Sequence, residues 1–395
     1  MRTLYAARDL VRGTNVALID ARHRRFIPAM LAACVLCAAA PRMASAQVVG
    51  NALSTGLSTT VQLSPDQKTE LTNFVNANTE ALMGSNAAMV RAAMDNLRSP
   101  FTTTDIPNIS FSFRHDYSEA LLPTLKSMLD AKNLADANND LPIRALSLAG
   151  ELGNEDAATL LTKALGAARA DVRYQAAYGL RRTFLMISQS RTPLMLDSAI
   201  STLIKATSDR AADEHDPLVL DALIRALQAA GEPNAQHSEA IRALGVAIST
   251  NAKNAVPSKE PAQAIAMLRA AKAMLDMLSV QVPLSAETAR AGAEMAGQLV
   301  AYASRAVSQK AITAGTTNEY RQAIADLATA SRNSVSVAYE KIKLGEKAPI
   351  ITPLGDPLRA GTVQGDAQFL IDVSTFISEV LSRPPFGFAP GSFKL

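Results

Sequence analysis

The sequence contains no tryptophan, and its aromatic share is only 5%. Half-buried strands draw on Val, Ile, Thr and aromatic residues, so this composition points away from an all-β protein. Only two cysteines, Cys34 and Cys37, and four histidines occur in 395 residues. No apolar run reaches the roughly 18 residues that a membrane-spanning helix needs. Charge of one sign is also missing: 39 Lys and Arg stand against 36 Asp and Glu, a formal +3. With 19 Gly, 19 Pro and 48% apolar residues, global disorder and collagen-like structure are excluded.

What the chain has is alanine, 72 residues of it, well above ordinary globular usage. Together with leucine this density favours helix. The length suits two or three compact domains or one elongated solenoid.

The first 46 residues read differently from the rest. Arg22-His23-Arg24-Arg25 is a basic run, Phe26 to Ala40 is apolar, and Ala44-Ser45-Ala46 is an A-x-A site. This is the layout of a secretory signal peptide, with cleavage expected after Ala46 and a periplasmic or extracellular destination. Two finer readings compete with it. Leu31-Ala32-Ala33-Cys34 fits a bacterial lipobox and would put a lipid on Cys34, although the apolar run continues beyond it to Ala40. Arg24-Arg25-Phe26 hints at a twin-arginine signal without the rest of that motif.

Removing residues 1–46 takes away seven Arg and two Asp, leaving 32 basic and 34 acidic side chains and a balance of −2. It also takes away both cysteines, so the mature chain has no disulfide, no thiolate nucleophile and no cysteine ligand for zinc. It has no basic surplus for nucleic acid either.

Residues 47–60 are rich in Ser, Thr, Gly and Asn and read as a flexible start. Ser64-Pro65-Asp66 then opens a helix, with Ser64 as the N-cap and Pro65 at the first helical position. A second helix is expected over about 87–97, stopping at Ser99-Pro100. Phe101 to Phe113, with Phe-Ser-Phe at its end, is expected to be a loop or one short strand. From Tyr117 onward the apolar spacing is helical almost throughout, with seven segments between Tyr117 and Thr250 separated by short Asn, Asp, Gly and Pro breakers. Helices on short turns indicate an antiparallel helical stack. Two longer helices are expected over about 286–310 and 317–343, a Pro-rich loop after Gly345, a helix over about 367–381, and an irregular tail from Pro384.

Part of this region repeats. Ile143-Arg144-x-x-Ser147-Leu148-Ala149-Gly150 matches Val172-Arg173-x-x-Ala176-Ala177-Tyr178-Gly179 at an offset of 29, and looser echoes begin at Val219 and Ile265. With Leu152-Gly153-Asn154-Glu155-Asp156-Ala157 as turn and first helix, and Asp171 to Leu180 as turn and second helix, the chain resembles the HEAT family. The form is the short bacterial one also found in phycobilin lyases. The likeness is good over about 141–187 and fades towards 275, about a third of the chain. It implies an all-α, HEAT/armadillo-like solenoid of antiparallel helix pairs with extra flanking helices and an irregular C-terminal tail. The expected segments are 1–46 (leader), 47–115 (N-terminal helical segment), 116–280 (repeats), 281–345 (long helices) and 346–395 (loop, last helix and tail). The resemblance also implies that Asp140 with Arg144, and Asp171 with Arg173, tie repeats together, rather than Arg144 and Arg173 binding an acidic partner.

Few residues suggest chemistry. Asp213-Glu214-His215-Asp216-Pro217 is the densest ionisable cluster; a divalent cation site is one reading, and a turn in which Asp216 caps the helix at Pro217 is the simpler one. His115-Asp116 offers a base and its orienter, but outside any catalytic signature. There is no phosphate loop, no H-E-x-x-H, no EF-hand loop and no G-x-S-x-G, so neither a metal nor a cofactor is expected. At 100° per residue, Val172, Ala176, Ala177, Leu180 and Phe184 share one side of their helix, and Tyr174, Tyr178 and Arg181 share the other. Tyr and Arg are enriched at binding hot spots, although packing between repeats would also use them. The expected function is an exported, non-enzymatic scaffold binding a protein partner through Tyr174, Tyr178 and Arg181. The alternatives are an accessory lyase or other enzyme acting on a small molecule in a helical cleft, and an envelope-attached lipoprotein with a structural role.

Overall fold

Local sequence signals set most helix ends. Ser64 and Gln67 form a reciprocal capping box, the Gln67 amide donating to Ser64 Oγ at 3.3 Å and the Ser64 amide to Gln67 Oε1 at 2.9 Å, and so open α1 (Pro65–Leu82). The computed structural model describes residues 52–102, 104–190, 193–232, 236–313, 316, 318–344, 346–349, 353–389 and 391–395. The leader, with Cys34 and the Ala46 cleavage site, lies outside the described residues.

After α1 come α2 (Ala87–Thr102), α3 (Phe111–Met128), the short α4 (Ala131–Ala135), α5 (Leu141–Leu152), α6 (Glu155–Ala164) and α7 (Ala170–Gln189). Then follow α8 (Asp197–Asp213), α9 (Pro217–Ala230), α10 (His237–Asn254), α11 (Ala262–Ser279), α12 (Ala286–Ser308) and α13 (Asn318–Ile342). The short α14 (Asp356–Arg359) and α15 (Val363–Phe376) complete the set, and one π-turn extends α15 through Leu381. The fold is all-α: no strand occurs among the described residues. No described helix is long and apolar enough to cross a membrane.

Two expectations fail near residue 100. Helix α2 does not stop before Pro100 but runs through it to Thr102. Proline removes the amide that would reach the Asn96 carbonyl; the Ser99 hydroxyl donates to that carbonyl instead, at 2.8 Å. The Phe-Ser-Phe alternation is not a strand but the first turn of α3, capped by Ser110, whose Oγ accepts from the Phe113 amide at 3.0 Å. Residues two apart share a face in a strand but lie 200° apart on a helix. Accordingly Phe113 is fully buried while Phe111 is 61% exposed.

From α5 onward each helix packs on the next but one. Helices α5, α7, α9, α11 and α13 form one row, and α6, α8, α10 and α12 form a second, with sequence neighbours joining the two. Within a row the helices run in the same direction. Ser201 reaches Glu239, Ser208 the Ala243 carbonyl and Asn251 the Ala211 carbonyl, so the contact points ascend together along α8 and α10. The pattern continues past the last visible repeat, α10 on α12 and α11 on α13. Helices α1 to α3 pack together at the start, with α2 and α3 against α5.

Close approach depends on small residues. A Cβ placed on Gly150 of α5 would lie 2.8 Å from the Gly179 Cα of α7, and one on Gly179 would lie 2.5 Å from Leu161 Cδ2. The offset of 29 in the sequence is thus the stacking register of these two helices. At the other end, α12 takes the tail. A Cβ on Gly297 would lie 2.4 Å from a ring carbon of Phe393. Gln298 donates to the Ser392 carbonyl at 2.9 Å, and Arg290 lies 4.9 Å from the Phe388 ring centre. The irregular tail is therefore a packed cover for α12, with Phe386, Phe388 and Phe393 buried.

Replacing Gly179 by Leu is expected to destabilise the fold by about 1–3 kcal/mol or more, since the nearest obstacles include backbone. Urea unfolding at neutral pH measures this, and an unchanged midpoint would contradict the close contact.

Candidate functional site

The strip singled out on α7 is solvent-facing. Val172, Ala176, Ala177, Leu180 and Phe184 are buried, while Tyr174 and Tyr178 are 43% and 48% exposed. Arg181 is half-buried on the same strip. The spacing i, i+4, i+7 lines the three side chains along one edge of the helix. The helix beneath them is held on both sides, by α5 and by α9.

Arg144 and Arg173 are structural, but through partners other than the expected aspartates. Arg173 forms a two-pronged pair with Glu214, Nε to Oε2 at 2.9 Å and Nη2 to Oε1 at 3.0 Å, and donates from Nη1 to the Ala168 carbonyl at 2.8 Å. Arg144 donates to the Leu82 carbonyl at 2.8 Å, closing the end of α1. Asp171 is exposed and binds Arg169 at 2.7 Å. It lies two residues from Arg173, on a different side of the first turn, and so cannot share its partner.

The acidic cluster before Pro217 resolves into a cap and a hub. Asp216 Oδ1 accepts from the amides of Leu218 at 2.9 Å and Val219 at 3.1 Å. Glu214 is 1% exposed. It also accepts from Arg210 at 2.7 Å and from the His215 and Asp216 amides at 3.0 and 2.9 Å. Burial alone pushes the Glu214 carboxyl up, but Arg173, the Asp216 amide and Arg210 more than reverse this and hold it down at about 2. In the sequence this glutamate is indistinguishable from the two acids beside it, Asp213 and Asp216.

The histidines do not converge. His215 lines a cleft of about 430 Å³ between the α8–α9 and α10–α11 turns, with Asn251 and Gln263. His237 is buried at the start of α10, its Nδ1 2.5 Å from the Gly231 carbonyl. His115 lines a smaller cleft of about 200 Å³ beside α6. It stacks on Phe111 and faces Glu119 at 3.6 Å, while Asp116 pairs with Lys68 at 2.9 Å. The imagined His115–Asp116 dyad is therefore divided between two other partners. The ligand atoms of His115, Asp116 and Glu119 gather within 4.8 Å, and the Lys68 ammonium already supplies a cation to that group.

The lining of the smaller cleft includes a residue that no sequence signal marks. Arg114 is 4% exposed, and its guanidinium lies 5.5 Å from the Phe101 ring centre. Nη1 reaches the Leu152 carbonyl only at 3.5 Å, and Nε and Nη2 have no hydrogen-bond partner among the described residues. Burial, aided by the Arg182 charge and opposed by Glu151, pulls this guanidinium down to about 10.

The Glu214 hub makes a prediction about acid stability. Its folded-state affinity for protons is depressed, so its contribution is fully present above the ordinary glutamate value of 4.5 and is lost as pH falls towards about 2. The wild type should lose stability across that window, and Glu214→Gln should start less stable and lose less there. Thermal unfolding at pH 7, 4 and 2.5 compares them; parallel losses would remove Glu214 from the account. No protein-family model matches the chain, and neither a curated protein nor a solved structure does.

Proposed function

We propose that this chain is an exported, non-enzymatic scaffold of HEAT-like architecture that binds a protein partner through its repeat surface. The centre of that surface is Tyr174, Tyr178 and Arg181. The carrying observation is a pair of tyrosines one turn apart, 43% and 48% exposed, on a helix whose other face is fully packed. Such a pair offers a large amphipathic area, and because the backbone is already fixed, little order remains to be imposed on binding. Arg181 supplies the donor groups that recur beside tyrosine at hot spots. The HEAT-like reading is supported by the two rows of like-on-like helices and by a repeat offset that coincides with the Gly150–Gly179 contact. Stacked arrays of this kind present long continuous surfaces.

A second reading, a small molecule held between helices, is favoured by one observation, the cleft over Arg114. The export reading rests on the leader sequence, with cleavage after Ala46; the lipid-anchored alternative rests on Cys34.

Affinity capture from the cell envelope with the wild type and the Tyr174→Ala/Tyr178→Ala double variant tests the surface. Loss of a hot-spot pair is expected to weaken the main interaction about 30-fold or more. A folded double variant that recovers the same partner to the same extent would sink the proposal. For the leader, the exported protein is expected to begin at Gln47. Palmitate incorporation that disappears in Cys34→Ala would instead establish the lipoprotein form.

A further inference from the structure

Among the described residues, several arginines withdrawn from solvent have short hydrogen bonds to strong partners. Arg173 is paired with both oxygens of Glu214. Arg321 is paired with Asp366 at 2.5 Å. Arg305 donates to the Ala252 and Lys394 carbonyls, each at 2.6 Å. Arg114 is as buried as these, but its contacts are weaker: a long one to the Leu152 carbonyl, a sulfur contact to Met186 at 3.8 Å and the Phe101 ring at 5.5 Å. The Glu151 carboxylate is held by Arg182 at 2.8 Å. A buried guanidinium edge left unpaired is costly, and an anion seated on it would remove that cost.

The geometry specifies the kind of ligand. The two unpartnered donors, Nε and Nη2, form one edge of the guanidinium. That edge is the fork which takes both oxygens of a carboxylate. In Arg173 the same two atoms hold Glu214; in Arg114 the fork is open. Arg114 lines a small cleft of about 200 Å³ together with the apolar Phe111, Leu152 and Leu194 and the polar His115 and Asn154. The first turn of α6 forms part of the lining, and its positive end adds to the attraction for an anion. Glu155 and Asp156 in that turn are exposed carboxylates that offset part of this attraction, and they oppose a dianion such as phosphate more than a monocarboxylate.

We propose that this cleft is a binding site for a small monocarboxylate with an apolar body, its carboxylate held by the Arg114 fork and its body between Phe111 and Leu194. Both donors are covered from bulk solvent, which strengthens the pairing. To reach them the incoming acid displaces a side chain of the lining, a movement we assign to Leu194, on the segment joining α7 and α8. The carboxylate comes either from a free small acid or from the end of a peptide; the chemistry at Arg114 is the same. The site is separate from the Tyr174 and Tyr178 strip and stands without it.

Isothermal titration of residues 47–395 with isovalerate and with phenylacetate tests this directly. Isovaleramide, inorganic phosphate and an acetylated dipeptide ending in leucine complete the series. Saturable binding of an acid is expected, with the amide and phosphate at least about 10-fold weaker. Arg114→Met and the cleft-filling Leu194→Trp should each lose about 10-fold or more, while Tyr174→Ala/Tyr178→Ala should bind unchanged. Tighter binding of the dipeptide than of the free acids would identify a peptide end as the source; the reverse would identify a free acid. The proposal is overturned if neither acid nor dipeptide binds the wild type at concentrations up to about 10 mM. It is also overturned if amide or phosphate binds as well as the acids, or if Leu194→Trp keeps full affinity. Because Leu194→Trp leaves the arginine in place, a failure of Arg114→Met to fold does not protect the idea.

Discussion

Every helix of the stack lies directly against the helix two places along, and this like-on-like contact is the constraint on which the rest depends. It sets the distance between backbones. Where α5 meets α7, Gly150 and Gly179 face each other with no room for a Cβ on either side. Where α10 meets α12, a Cβ on Gly245 would stand 3.0 Å from the Ala291 carbonyl. Interiors packed at crystal-like density leave no slack for larger groups at such crossings. The abundance of alanine follows from the same demand. Helix α12 carries it furthest: Ala289, Ala293, Ala296, Ala303 and Ala306 are all buried in it. A helix enclosed by two like neighbours and by the opposite row has only a narrow strip left for solvent. That is why the exposed tyrosines of α7 fall in one line.

Stacking buries helix ends as well as helix faces, and a C-terminus leaves carbonyls without partners. The second row solves this with long side chains sent back along the stack. Asn251 of α10 donates to the Ala211 carbonyl of α8 at 3.0 Å and to the Glu214 carbonyl at 2.8 Å. Arg305 of α12 donates to the Ala252 carbonyl of α10. The first row does likewise where Arg144 of α5 closes α1. Such ties are sensitive to register, because a donor one turn out of place leaves a buried carbonyl unpaired at about 1–3 kcal/mol. They therefore reinforce the spacing that the small residues allow. The array ends where the supply of like neighbours ends, and there α12 is covered by α15, its π-turn and the phenylalanine-rich tail.

The legible part of the fold was the part built from short-range signals. Ser64, Asp216 and the α7 wheel act within one or two turns, and each reads the same in sequence and structure. The repeat was legible where α5 and α7 have the same spacing of Gly and apolar residues. It faded once α12 and α13 lengthened to 23 and 25 residues, although the stacking itself continues. Pro100 was misread because its missing amide is replaced by a neighbouring hydroxyl rather than by a helix end. Phe-Ser-Phe was misread because three residues cannot distinguish a period of 2 from one of 3.6.

The partners of charged groups were the least legible feature. Arg173 finds Glu214 from 41 residues away, and no local pattern announces it. Asp171, two residues off, was the nearer and wrong choice. The same blindness hid Arg114, because what sets it apart is a partner that is missing. In the sequence Arg144, Arg173 and Arg114 are three arginines on three helices. In the structure two are filled and one is open, and only the comparison among them gives the third a meaning. Among the described residues Arg305 and Arg321 are as buried and have short hydrogen bonds, and beside them the unpaired edge of Arg114 is informative, since local rules are expected to fail at sites kept for something other than stability. The matched arginines account for how the stack holds its register; Arg114 joins it only through Nη1, on the Leu152 carbonyl and Met186, and its unpaired edge is the reason to look for a partner outside the chain.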